Sequence, residues 1–228
     1  MSDANYNLNP MKKPLLLLLF ILAPVLWAQA QYLRYGARVG GNFTKAHGDD
    51  AAEDNINNLA GLHGGLIVGY EFVSRLALQA EVLYEQKGFV YNDYPRTDIF
   101  RLTGDHRLHY ITLPVMLKLQ KGGLFAEGGP YVGYLFAENA DITETEDSNS
   151  LVPAPPRDYP LSMHDFERWD YGYTVGVGLQ LDNGLFMSVH NTGGLTSFSK
   201  ELDQKNFGFK VSIGYLLRPR SADDLMWR

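Results

Sequence analysis

Cysteine is absent from the 228 residues. That excludes disulfides, thiolate metal centres and the acylated cysteine that anchors a lipoprotein. After Tyr32 there is no apolar run of the roughly 20 residues that a membrane-crossing helix needs. Charge is also modest, at 20% of residues and a net −6, an acidic bias that argues against nucleic acid as a partner. The acidic stretches HGDDAAED (47–54) and TETED (143–147) lack the ordered ligand spacing of a calcium loop and read as solvated loops. Neither a cofactor nor a metal is expected.

What the chain has instead is glycine and aromatic residues: 23 Gly, 14 Tyr and 12 Phe, a composition suited to a β protein rich in turns. The segment MKKPLLLLLFILAPVLWAQAQ opens on two lysines after Met11, runs apolar from Leu15 to Trp27, and ends Ala28-Gln29-Ala30. This basic, apolar, small-x-small order predicts a cleaved signal peptide over 11–30 and an exported mature chain. The mature chain is then either soluble outside the cytoplasm or crosses a membrane as strands.

Alternation decides for strands. In RWDYGYTVGVGLQL, one parity carries Trp169, Tyr171, Tyr173, Val175, Val177, Leu179 and Leu181, and the other Asp170, Gly172, Thr174, Gly176, Gly178 and Gln180. Side chains of a strand alternate faces, so one face is large and apolar while the other is small or polar. The same pattern recurs near 34–44, 60–72, 75–88, 107–120, 124–138, 185–194 and 206–217, which with 168–181 predicts eight strands. Short connections (VS, KGG, DNG) alternate with long polar ones at Lys45–Leu59, Phe89–His106, Asn139–Glu167 and Leu195–Lys205. Tight turns on one side and long loops on the other are the grammar of a transmembrane barrel. Pro114 and Pro130 fall inside strands, and local bulges are expected there.

The fold expected is therefore all-β: an eight-stranded antiparallel up-and-down transmembrane β-barrel over residues 31–217, with a C-terminal tail at 218–228. Facing away from the apolar stripes are Arg38, Glu81, Glu85, Lys118 and Glu127, interleaved with glycines that leave room for them. An eight-stranded interior is just wide enough for side chains to fill. These five residues form the expected lumen network, a set of internal salt bridges and hydrogen bonds. A soluble lipocalin-like periplasmic binder would reverse the faces, placing the apolar set around a ligand. The mid-strand ions and the aromatics near strand ends, among them Tyr35, Phe43, Tyr84, Phe136 and Trp169, favour the membrane barrel.

The segments GARVGGNFT, LALQAEVLYEQKGF, HYITLPVMLKL, LFAEGGPYVGYL, YGYTVGVGLQL and FGFKVSIGYLL, in that order, resemble the PorT-like (porin-family) outer-membrane β-barrel domain. Its most specific pieces are Glu81-x-x-Tyr84-x-x-x-Gly88 and Leu113-Pro114 followed by Lys118. The resemblance implies an eight-stranded up-and-down barrel in the bacterial outer membrane, in a family most of whose members have no assigned activity, while PorT itself is linked to type IX secretion and gliding. The resemblance departs at the end, where RPRSADDLMWR follows the last strand in place of a terminal aromatic.

Function is expected to be non-enzymatic: a structural, adhesion or secretion-accessory barrel acting through its extracellular loops. Expected partners are outer-membrane lipids, lipopolysaccharide and cell-envelope or secretion-system proteins. VPAPP (152–156), in the longest loop, favours an extended conformation. The competing catalytic reading is a lipid hydrolase built on Ser188 and His190, with Glu201 in the next loop; no local motif fixes its nucleophile.

Overall fold

The structure, a computed structural model, describes residues 33–48, 55–73, 75–95, 97, 99–146, 157–158, 166–200 and 203–217. The expected signal peptide, the VPAPP stretch, Glu201 and the C-terminal tail lie outside the described residues.

The long strands are β1 (Leu33–Gly48), β2 (Ile56–Val73), β3 (Leu76–Pro95), β4 (Phe100–Lys121) and β5 (Leu124–Glu146), then β7 (Trp169–Gln180), β8 (Leu185–Gly194) and β9 (Gln204–Leu216). The two-residue β6 (Arg157–Asp158) pairs with β5. Each long strand is hydrogen-bonded to its neighbours in sequence, and β1 pairs antiparallel with β9, so eight strands close into a ring. Closure leaves no free edge along the barrel wall.

Local chemistry explains the tight turns. Lys121 pairs with Leu124 across Gly122 and Gly123, both with positive φ (59° and 86°), as a two-residue type I′ hairpin requires. Asp182-Asn183-Gly184 closes the β7–β8 hairpin: Gly184 N donates to Leu181 O at 3.0 Å, and the Asn183 side-chain oxygen accepts from Leu185 N at 3.0 Å. These turns mark the periplasmic end.

Orientation follows from burial. Val39, Leu66, Val82, Leu117, Val175, Val177 and Ile213 all point outward and are 47–67% exposed, whereas Arg38 and Glu81 are 3% and 2% exposed. The apolar cup of a lipocalin-like binder is thereby overturned: the buried ions lie inside, beside a small apolar cluster of Ile67, Phe125, Phe186 and Leu216, and the perimeter is hydrocarbon.

Three expectations require correction. Asn139–Glu146, with most of the TETED stretch, is not a solvated loop: it continues β5, paired with β4 through Arg107↔Asn139, Thr103↔Thr143 and Leu102↔Glu144, and Glu144 is buried. The connection Phe89–His106 is not a loop. β3 runs on to Pro95 and β4 starts at Phe100, paired through Phe89↔His106, Val90↔Asp105 and Tyr91↔Gly104. Phe89, Tyr91, Leu102, Leu108, Tyr110, Leu135, Ile142, Phe166 and Phe198 turn inward there and form an apolar core at the extracellular end. The prolines also make no bulge. Pairing between β3 and β4 resumes from Ala80↔Val115 to Leu83↔Thr112 on an unchanged register, and between β4 and β5 from Pro114↔Tyr131 to Leu117↔Gly128 likewise. A missing N–H removes rungs of the ladder without adding a residue, so the wall stays in register.

Candidate functional site

The lumen collects side chains from strands far apart in sequence. Arg38 on β1, Glu81 on β3, Glu127 on β5 and His190 on β8 converge on the barrel axis. Arg38 Nη2 lies 2.6 Å from Glu81 Oε1 and 3.0 Å from Glu127 Oε1, and His190 Nε2 is 2.8 Å from the same Glu127 oxygen. Gln79 donates to both carboxylates, at 2.7 Å and 3.2 Å. Lys118 donates to Gln180 at 3.0 Å and lies 3.9 Å from the Phe125 ring centroid.

A second cluster sits nearer the extracellular end. Lys210 donates to Glu85 at 2.6 Å, and Lys87 lies 3.6 Å from the other Glu85 oxygen. Lys87 also donates to Asp170 Oδ2 at 3.1 Å, an oxygen that accepts from Tyr131 and Asn206 as well. The five residues expected in the lumen are all buried, but they divide: Arg38, Glu81 and Glu127 meet, Lys118 flanks them through Gln180, and Glu85 belongs to the second cluster. Lys87, Asp170, Lys210, Gln79 and His190 complete the two clusters beside those five. All lie on the polar parity, which was the available signal, but only the ring register shows which of them meet.

Close packing of this interior depends on particular glycines. A Cβ on Gly176 would lie 2.2 Å from the His190 ring, and one on Gly214 would lie 2.3 Å from the Phe186 ring. Gly176→Ala therefore displaces His190 from Glu127 and is expected to cost about 1–3 kcal/mol, the usual penalty for overpacking. The midpoint of the heat-dependent gel shift of unboiled protein measures it.

The pieces of the Glu81-x-x-Tyr84-x-x-x-Gly88 pattern do different work. Glu81 faces the lumen. The Tyr84 hydroxyl, on the outer face, is 2.7 Å from His109 Nδ1, within an aromatic cluster that includes Phe136. Gly88 has φ 143°, and a Cβ there would lie 1.9 Å from the His106 carbonyl oxygen. The Thr44 hydroxyl is 3.0 Å from both the N and the O of Gly88, pinning β1 to this point.

Above the barrel, His106 is fully buried between the Phe89 and Phe166 rings, with Nε2 3.2 Å from Glu138 Oε2. Burial pushes its pKa down from 6.5 to about 4. Opening this end takes up a proton between those values, so its stability is full above pH 6.5 and is lost as pH falls through about 4. Amide exchange at the β3 and β4 tips should accelerate between about pH 7 and pH 5 beyond the intrinsic chemical change, and His106→Phe should abolish that dependence.

Ser188 and His190 do not form a dyad. His190 is engaged by Glu127, and Ser188 Oγ is buried without a hydrogen-bond partner among the described residues.

The family model for the outer membrane protein beta-barrel domain matches residues 27–200. The chain belongs to that family. This outer membrane barrel resides in the bacterial outer membrane, where its exposed apolar belt meets acyl chains. Solved structures similar to it include Neisserial surface protein A, at 9% identity and TM-score 0.46, covering 79% of this chain and 96% of that one. Another is Ail, the attachment invasion locus protein of Yersinia pestis, in complex with the heparin analogue sucrose octasulfate (11%, TM-score 0.42, 82% and 99% covered). A third is OprG of Pseudomonas aeruginosa (13%, TM-score 0.38, 82% and 98% covered). None of the curated proteins matches this outer membrane barrel.

Proposed function

We propose that this outer membrane barrel is a plugged, non-enzymatic cell-envelope component that acts through its extracellular end, in adhesion or as a PorT-like accessory to secretion. The observation that carries the reading is charge balance in the lumen. Arg38, Lys87, Lys118 and Lys210 are buried with Glu81, Glu85, Glu127 and Asp170, four cations against four carboxylates among the described lumen residues. A conducting path needs unpaired charge and free bore; here the ions neutralise one another across the axis. Free room at the periplasmic mouth, beside Arg34, Glu71 and Gln79, is about 20 Å³, the scale of one water molecule. The apolar core above the lumen adds a second closure and stiffens the β3–β4 hairpin that partners would meet.

Planar-bilayer recording of the purified protein is expected to give no steady conductance. A large, steady, salt-dependent current would overturn the plug. The secretion role predicts that deleting residues 91–102 at the hairpin tip impairs export while leaving the barrel folded; unchanged export with a normal gel shift would remove that role.

A further inference from the structure

The lipid-facing surface is not uniform. Most outward positions in the periplasmic half carry a large aliphatic or aromatic side chain, with single small residues at Ala37 on β1 and Ala80 on β3. On β5 they drop to Ala126 and Gly128, set between Leu117 and Leu119 of β4 and Val175 and Val177 of β7 by the pairings Leu119↔Ala126↔Val177 and Leu117↔Gly128↔Val175. The result is an open trough of about 570 Å³ over β4, β5, β7 and β8. It continues towards the periplasm as a hollow of about 450 Å³, where the apolar lining ends at Arg75 and Lys121. Both cations are exposed at neighbouring strand ends, where the N–H of Gln120, the residue before Lys121, donates to the Arg75 carbonyl at 2.9 Å. Among the described residues, no carboxylate lies within ion-pair distance of either one.

We propose that this trough is a binding site for one anionic phospholipid of the periplasmic leaflet, with an acyl chain over Ala126 and Gly128 and its phosphate on Arg75 and Lys121. Three features favour that occupant. The trough is apolar and bordered by the branched side chains of Leu117, Leu119, Val175, Val177 and Val189. Its position in the wall makes acyl chain its natural solvent. It terminates on two unpaired cations at the membrane boundary, where basic side chains attract anionic headgroups. A protein helix seated in the trough would not need those cations; a phosphate does. The site is independent of whether the lumen conducts.

Native mass spectrometry of the full-length protein, released from detergent with equal amounts of phosphatidylglycerol and phosphatidylcholine of the same chains, tests it. Wild type should retain one phosphatidylglycerol in preference to phosphatidylcholine by roughly tenfold. Ala126→Leu fills the floor of the trough and should remove both adducts. The Arg75→Gln/Lys121→Gln pair, at exposed turn positions, should leave chain binding intact but abolish the preference. Adducts equal in wild type and all variants would mean ordinary annular lipid and overturn the site. So would a dimer that dissociates only in Ala126→Leu, which would make a second copy the occupant. The gel shift of each variant shows that the barrel is formed in every arm.

Discussion

Replacing Glu127 with alanine is expected to lower the stability of the barrel by about 3–5 kcal/mol, the cost of stranding a buried charge. Glu127 is the hub of the lower lumen cluster: its side chain is fully buried and it takes Arg38, His190 and a share of Gln79. Without it, Glu81 is the one carboxylate left to Arg38 among the described residues, beside the Phe186 ring, and the Arg38 Nε already lacks a hydrogen-bond partner there. Eight strands leave no space for a hydrated guanidinium, so the loss is not recovered by water. Glu127→Gln keeps an acceptor for Arg38 and should cost less. Urea unfolding from lipid vesicles, followed by tryptophan fluorescence, compares the two. A loss below about 1 kcal/mol for the alanine variant would mean that Arg38 reaches solvent, and the lumen would not be the sealed network described above.

The second large effect concerns the outer face. Val211 lies mid-strand on β9, 47% exposed, between Val189 of β8 and Gly41 of β1. Val211→Arg should cost about 2–4 kcal/mol if that face meets acyl chains at mid-depth. On a wetted face the same substitution would fall within about 0.5 kcal/mol of neutral. The same vesicle unfolding measurement decides, and near-neutrality would overturn the orientation of the whole barrel. Lys210, one residue earlier, shows the contrast: its ammonium points inward and is held by Glu85 at 2.6 Å.

The strand wall was legible in the sequence because the bilayer imposes a single rule on it. Every outward position must be apolar, and period two then writes eight readable stripes. The cap was not legible because the solvent changes partway up the strands. On β4 the apolar set is outward at Ile111, Leu113, Val115 and Leu117, but inward at Leu102, Leu108 and Tyr110. Above the membrane water replaces lipid, the apolar parity flips, and β3 flips with it at Phe89 and Tyr91. Reading with one parity turned this ordered hairpin into a loop.

The ion pairs show the same division. Local alternation put Arg38, Glu81, Glu85, Lys118 and Glu127 on the interior parity, since that depends only on neighbours along one strand. It did not pair them. Arg38 meets Glu127 across 89 positions of chain, and Glu85 turns instead to Lys210, on a strand 125 positions away. Partners across the lumen are set by strand register and by closure of β9 on β1, which are properties of the assembled ring. Composition and periodicity thus determined a β-barrel with greasy walls and an interior parity that carries the charges. Which charges neutralise one another, where the wall is hollow, and where the core turns apolar were decided only when the ring closed, because those contacts join residues that no stretch of sequence brings together.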